Sequence, residues 1–469
     1  MKRGLAFGLL LLLALLSACG GGAPTPEEQA LALDVSYGAR GVAIAPAAGD
    51  PGGGDAPYTL SVSDGEAFVA GRGCRNPAPS CSSENDWLAA AWRFDASGRP
   101  DANFASSGVF VSADPAGGTM LSVIFDAVAA AGGYRLAGVA VNAAGDLDAV
   151  LWALRSGGSP DPAFYGGAPA LVSDWAAAGA HDLASAMLAG PGHTWLAGGV
   201  RAGTYYDVAV WKVKDDGSPD TAFDGDGVWT FNTATGNDWA QAIARDGEGR
   251  LWLAGATTGT GGSLPAVWQV DPAGGLVAGF GQNGWVELPL LGGDQGVALK
   301  LAPDGEGAVV LGCLSGAFTT AAGAGPLGLA QVAGGRLALW RLGAGGALDT
   351  GFGDGGALLL PGETVCDTFR NPVALAVDED GNYWVAGGVT SERGDLDMAV
   401  WRVLADGSLD PHFCGGDACT FDNAAGGYGD DWGSAIALDG EDVYVAGWSW
   451  NGARRATVVW KLNIVEVTP

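Results

Sequence analysis

Seven tryptophans recur in the same local setting: Trp92, Trp152, Trp211, Trp268, Trp340, Trp401 and Trp460, separated by 60, 59, 57, 72, 61 and 59 residues. A near-constant period of this size means one supersecondary unit copied seven times, and it constrains the fold before propensity is considered.

Each tryptophan is followed by a turn and then by an acidic-aromatic signature. Clear copies are Gly217 to Phe223, Gly346 to Phe352 and Gly407 to Phe413, each with Asp three residues after Gly and Phe three after Asp. Weaker copies run from Asp101 to Phe104 and from Asp161 to Phe164; the first has Tyr37 after Asp34, and the fifth has Val277 before Phe280. Aligned on this signature, the units span 33–97, 98–157, 158–216, 217–273, 274–345, 346–406 and 407–465. In the fourth unit the apolar runs are Val228 to Phe231, Gln241 to Ala244, Leu251 to Gly255 and Ala266 to Val270. They are too short for helices and are bounded by turn residues, so they predict four strands per unit. Runs apolar on both faces, such as Ala399 to Val403, suit a strand packed between two sheets. The expected fold is all-β: a seven-bladed β-propeller of four-stranded antiparallel blades over residues 33–465. An open solenoid is the alternative, but it needs polar capping units, and the first and last units look like the rest.

The Gly-x-x-Asp-x-x-Phe signatures, the Asp380-Gly381 turn with the later Ala386-Gly387, and the Val-Trp-Arg/Lys-Val strands together resemble the delta-60 repeat family of bacterial β-propellers. The resemblance implies a propeller, mostly on secreted or surface proteins, and attaches no general catalytic activity.

Lys2 and Arg3 precede an apolar run from Leu5 to Leu16, the layout of a secretory signal peptide spanning 1–18. It ends in Leu16-Ser17-Ala18-Cys19-Gly20, which resembles a bacterial lipobox and implies lipidation of Cys19. Several acyl chains would hold the protein on a membrane. Ordinary cleavage beside an incidental cysteine is the alternative. Residues 19–32, Gly-rich and then Pro-Glu-rich, are expected to form the lipidated N-terminus and a flexible tether. The localisation expected is extracytoplasmic, with the outer membrane or cell surface favoured because Gly20 is not the Asp of an inner-membrane retention signal.

Six cysteines remain after Cys19, and an even number in an exported chain suggests disulfides. The expected pairs are Cys74 with Cys81, Cys313 with Cys366, and Cys414 with Cys419. Metal binding is the weaker reading, because no Cys-x-x-Cys is present and the three histidines are scattered.

The formal charge is −29, and loss of Lys2 and Arg3 makes the mature chain two units more negative. Phosphate backbones would be repelled, so no nucleic-acid partner is expected. No cofactor is expected. Structural calcium is weighed at Asp224 to Gly227, Asp246 to Gly249 and Asp378 to Asn382, but none shows a full spaced ligand set, and turn chemistry accounts for these acids. The residue after the repeated Trp is basic in five units, and an Asp follows eight residues later at Arg93/Asp101, Lys212/Asp220, Arg341/Asp349 and Arg402/Asp410. Where Gln269 replaces the cation, Val277 replaces the Asp. These pairs are expected to pin each blade to the next.

The candidate ligand face carries four Asp-Trp pairs: Asp86-Trp87, Asp174-Trp175, Asp238-Trp239 and Asp431-Trp432. An exposed Trp beside a carboxylate suits stacking on a sugar or binding a partner surface. The competing reading packs these indoles beneath the neighbouring blade. No spacing singles out a catalytic carboxylate pair, and no nucleophile elbow, zinc-protease helix motif or phosphate loop occurs. The expected role is a non-catalytic binding or scaffolding module at the envelope, with a membrane anchor and a glycan or envelope protein as partner. A carbohydrate-active hydrolase or lyase, and a purely structural envelope protein, are the alternatives.

Overall fold

The structure, a computed structural model, describes residues 28–467 except 49–53, 76–85, 113–114, 131, 168–169, 174, 176–178, 202, 234–235, 260–261, 293–294, 316–330 and 368–370. Cys19, Cys81 and Asp174 therefore lie outside the described residues.

Seven antiparallel sheets form the blades. Blade 1 runs Ala56–Ser63, Glu66–Cys74, Trp87–Phe94 and Val109–Ser112. Blades 2 to 6 begin at Gly117, His181, Asp238, Gln295 and Ala374 with the same up-and-down order. Blade 7 runs Asp431–Asp439, Asp442–Trp450 and Arg455–Val467, and takes its outer edge from the start of the chain. Val42–Ile44 and Glu28–Leu33 both pair with Arg455–Val467. The first strand of each blade touches the first strands of its two neighbours, and blade 7 touches blade 1 in this way, so the ring is closed.

The sequence repeat and the sheet are offset by one strand. Val228–Phe231, the first run of the fourth unit, is the outermost strand of blade 3, while Asp238–Arg245 begins blade 4. That offset lets the first unit lend its strand to the last sheet. Closure then uses ladder hydrogen bonds between chain ends, and no blade is left with an open edge at the seam.

The signature has a geometric reason. Its Asp makes a local turn, Asp101 Oδ1 accepting from Asn103 N at 2.9 Å and Asp410 Oδ1 from His412 N at 2.9 Å. The turn buries the aromatic three residues on: Tyr37, Phe104, Phe164, Phe223, Phe280, Phe352 and Phe413 are all no more than 1% exposed. The N–H of the following residue then crosses to the next blade, as Ala105 to Gly157 O at 2.8 Å, Asp224 to Ala273 O at 2.7 Å and Gly353 to Asp406 O at 2.8 Å. At the last junction the pattern changes, and Gln29 of the N-terminal strand donates to His412 O instead.

The basic residues do pair with the signature Asp, but the pairs do not cross between blades. Arg93 binds Asp101 (Nε to Oδ2 2.7 Å), Lys212 binds Asp220 at 3.0 Å, Arg341 binds Asp349 at 3.0 Å and Arg402 binds Asp410 at 3.4 Å. With the one-strand offset, both members belong to one sheet, where they hold its third strand to the loop before its fourth. The blade-to-blade role expected of them falls to the backbone hydrogen bonds above. Lys461 is the exception in kind, since it reaches Asp34 at 3.0 Å and so joins the two ends of the chain. In blade 2, Arg155 reaches Asp161 at 3.7 Å although Ala153 occupies the usual cation position.

A second device is the β-bulge in the first strand of six blades, at Tyr58, Phe125, Ser185, Gln241, Leu299 and Ser434. Opposite each bulge the second strand carries Gly: Gly71, Gly138, Gly198, Gly255, Gly312 and Gly447. A side chain there would run into a first-strand carbonyl, for example that of Leu183 above Gly198. The repeated Ala-Gly dipeptide is thus a requirement of close strand approach.

Cys414 and Cys419 form a disulfide. Cys74 and Cys313 each take part in a disulfide as well, not with one another but in separate bridges of blades 1 and 5. Cys366 lies on the strand Thr364–Asp367 opposite Val332.

Candidate functional site

In an up-and-down blade, connections from second to third strand and from one blade to the next emerge on the same end. Both long insertions, 72–86 and 314–336, fall between the second and third strands of their blades, and their described ends open on this end. The described members of the four Asp-Trp pairs lie there as well.

The indoles are not a platform. Trp87, Trp239 and Trp432 are 2%, 7% and 0% exposed, so the expected stacking surface is corrected to interior packing. The Trp432 Nε1–H donates to Pro372 O of the preceding blade at 2.6 Å, and the Arg72 guanidinium covers Trp87 at 4.1 Å. Trp175 is half-buried against the core shared by blades 2 and 3. The reason is local: Trp87, Trp239 and Trp432 sit where a strand starts, and the strand turns its large residue into the seam between sheets.

The acids of these pairs cap the crossing between blades. Asp238 accepts from Thr233 N at 2.7 Å and Thr233 Oγ1 at 3.0 Å, and Asp431 accepts from Asn423 N at 2.8 Å and Ala424 N at 3.4 Å. Both are fully buried. Burial pushes the Asp431 carboxyl from 3.8 up to about 6, although Ser449 and the loop N–H groups favour its charged form. Burial raises Asp238 as well. Asp86 is half-buried at the start of its strand. Two further acids occupy the same place, three residues before the bulge: Asp55 and Asp182, at 1% and 0% exposure. No Trp follows them, so the dipeptide search passed over them; the distance to the bulge was the usable signal. Asp55 is met by Arg454 at 3.1 Å.

Other aromatics are exposed on this end. Tyr205, Tyr428 and Trp450 are 50%, 78% and 36% exposed. Tyr428 holds a left-handed backbone (φ 52°), an uncommon state for a bulky residue. Its N–H is tied to Asn423 Oδ1 at 3.0 Å. Gly427 N donates to Trp450 O and Trp450 N to Asp430 O, both at 3.0 Å, so the loop 422–430 is clamped to the end of Asp442–Trp450. Beside it, Arg393 gathers Asp422, Asp395 and Asp397 at 2.8, 3.2 and 3.5 Å. The Ser391 hydroxyl holds the Asp395 carboxyl below the usual range, whereas burial, then Asp422 and Asp395, push Asp397 up.

In the central channel, where the bulge residues of blades 1 to 5 meet Val373 of blade 6, one cavity leaves about 20 Å³ open to the centre of a water molecule.

The turn acids weighed for calcium are spent on local donors. Asp246 accepts from Glu248 N, Arg250 N and Trp252 Nε1, and Asp378 from Asp380 N, Asn382 N and Trp384 Nε1, all within 3.1 Å. In the third segment, Asp226 Oδ1 accepts from Val228 N at 2.9 Å. Among the described residues, no group of three or more His, Cys, Asp or Glu is arranged to hold a metal ion.

A family model described as a domain of unknown function (DUF5122) beta-propeller matches residues 379–413. No curated protein matches the chain. Among solved structures, a puromycin-hydrolyzing peptidase of Mycobacterium tuberculosis is 14% identical over 87% of this chain, with a TM-score of 0.43. The chain spans 52% of that peptidase, about half its length. Sqt1 from Chaetomium thermophilum is 12% identical, covering 89% of this chain and 97% of its own, with a TM-score of 0.36. A GH43_1 enzyme from Xanthomonas citri, complexed with xylose, is 13% identical over 66% of this chain and 93% of its own, with a TM-score of 0.32. Likeness this distant carries no argument about activity or ligand.

Proposed function

We propose that this chain is a non-catalytic binding or scaffolding propeller of the delta-60 repeat type, held outside the cytoplasm of a bacterium by lipid on Cys19 and meeting a glycan or an envelope protein. The observation that carries the reading is the exposure of Tyr205, Tyr428 and Trp450 on the loop end. A shallow aromatic surface suits recognition; hydrolysis of a glycoside needs a pocket that holds the scissile bond between two carboxylates. The lipid anchor is tested by metabolic labelling with palmitate, where Cys19→Ser must abolish the label. The binding role is tested with purified mature protein on a glycan array and on isolated envelope material, beside an assay for released sugars. Retention without release supports it; release of sugars overturns it.

Asp395 and Asp397 favour a second reading. Two neighbouring carboxyls with opposed shifts are the signature of an acid and base pair. Here Arg393 binds both, which suits a structural ion cluster. Loss of a measured sugar release in Asp397→Asn would establish the hydrolase.

A further inference from the structure

The first strands bulge at equivalent positions, and Val373 stands just before the pairing of Ala374 with Ala386, where the sixth bulge would fall. One cavity touches Tyr58, Phe125, Ser185, Gln241, Leu299 and Val373, one residue from each of six blades, so it lies on the propeller axis. Ser434 holds the seventh position.

Two polar groups there have no protein hydrogen-bond partner. Ser185 Oγ and Gln241 Nε2 belong to residues 7% exposed, and neither atom is hydrogen-bonded. A buried donor left unpaired destabilises the fold, so an occupant is expected. Lys300 lines the same cavity. It follows the bulge in blade 5, where Thr59, Ala186, Ala242, Ala374 and Ala435 stand in other blades. Asp126 has this position in blade 2, but its oxygens already accept from Ala127 N at 2.8 Å and Met187 N at 2.9 Å, and no ion pair within 4.0 Å joins it to Lys300. Among the described residues Lys300 makes no ion pair within 4.0 Å; its charge and the buried Asp126 carboxyl act on each other only at longer range.

We propose that the waist of the channel is a binding site for a monovalent, halide-sized anion, held by the Lys300 ammonium, the Gln241 amide N–H and the Ser185 hydroxyl. All three residues line one cavity, and a lysine ammonium accepts nothing, so a negative occupant satisfies the donors. The opening of about 20 Å³ admits roughly one small ion. The walls of Phe125, Leu299 and Val373 exclude larger, hydrated oxyanions.

The test is thermal unfolding of the mature protein at constant ionic strength while sodium gluconate is exchanged for sodium chloride or bromide, with anomalous diffraction from bromide-soaked crystals. Gluconate controls for general screening of an acidic chain. The expected results are a midpoint that rises with halide concentration, a bromide peak on the axis beside Lys300, and at least a tenfold weaker apparent halide affinity in Lys300→Met and Gln241→Leu. Ser185→Ala serves if either variant fails to fold. A midpoint indifferent to anion identity, a water in place of bromide, or an unchanged response in the variants overturns the proposal.

Discussion

A β-carbon on Gly407 would stand 2.7 Å from the ring of Phe352, which belongs to the preceding blade. The same meeting recurs as Gly158 against Phe104 at 2.8 Å and Gly346 against Phe280 at 3.1 Å. The Gly that opens one signature is therefore the floor on which the aromatic ending the previous signature rests. Gly407 also has φ +80°, a conformation that L side chains adopt at a cost.

Gly407→Ala should accordingly destabilise by about 2–4 kcal/mol, backbone strain and overpacking together. Gly394 has φ +84° but nothing within 4 Å of a β-carbon, so Gly394→Ala should lose only the backbone part, about 1–2 kcal/mol. Denaturant midpoints of the two variants make the comparison; equal losses would refute interlocking.

Ring closure rests in part on Lys461 and Asp34, 3.0 Å apart, their side chains 17% and 14% exposed. Lys461 also meets Asp442 at 2.9 Å. Lys461→Met should leave two partly buried carboxylates unanswered and cost more than Asp34→Asn, with the double variant less than additive by about 0.5–3 kcal/mol. Equilibrium unfolding of the four proteins measures the coupling.

Stability should rise as pH falls from 7 toward 5. The Asp431 carboxyl titrates at about 6 in the folded chain against 3.8 otherwise, so between these values the folded state holds a proton that the unfolded state lacks. At neutral pH the ionised form costs on the order of 3 kcal/mol, relieved on acidification. Asp34, Asp101 and Asp220 act in the opposite sense: Ser36, the Asn103 N–H and Lys212 respectively lower them, and their contribution is lost below the ordinary carboxylate range. Asp431→Asn should flatten the rise between pH 7 and 5; an unchanged slope in chemical unfolding would show that this carboxyl is not raised.

Trp432 and Tyr428 should behave oppositely, although both lie toward the loop end. Trp432→Ala empties a site of 0% exposure and loses a hydrogen bond, so a cost of about 3–5 kcal/mol is expected. Tyr428→Ala, at a 78% exposed position, should leave stability within about 0.5 kcal/mol of the parent and weaken retention on whatever ligand the loop end binds. Calorimetry and a binding assay on the two variants separate scaffold from surface.

The repeat period, the strand count and the blade number were all legible in the chain, because a copied unit that cannot bury its apolar faces alone must stack. The Asp-to-cation spacing also announced a real contact. Its role was not legible: whether Arg93 and Asp101 bind within a blade or across two depends on the one-strand offset between repeat and sheet, which only closure of the ring decides. Exposure of Trp87, Trp239 and Trp432 was undecidable for the same kind of reason, since a Trp at the start of a strand faces solvent or the seam according to how the next sheet lies over it. The axial group of Ser185, Gln241 and Lys300 had no sequence signature, because a bulge shifts register by one residue and brings together side chains from different blades only once the circle is complete.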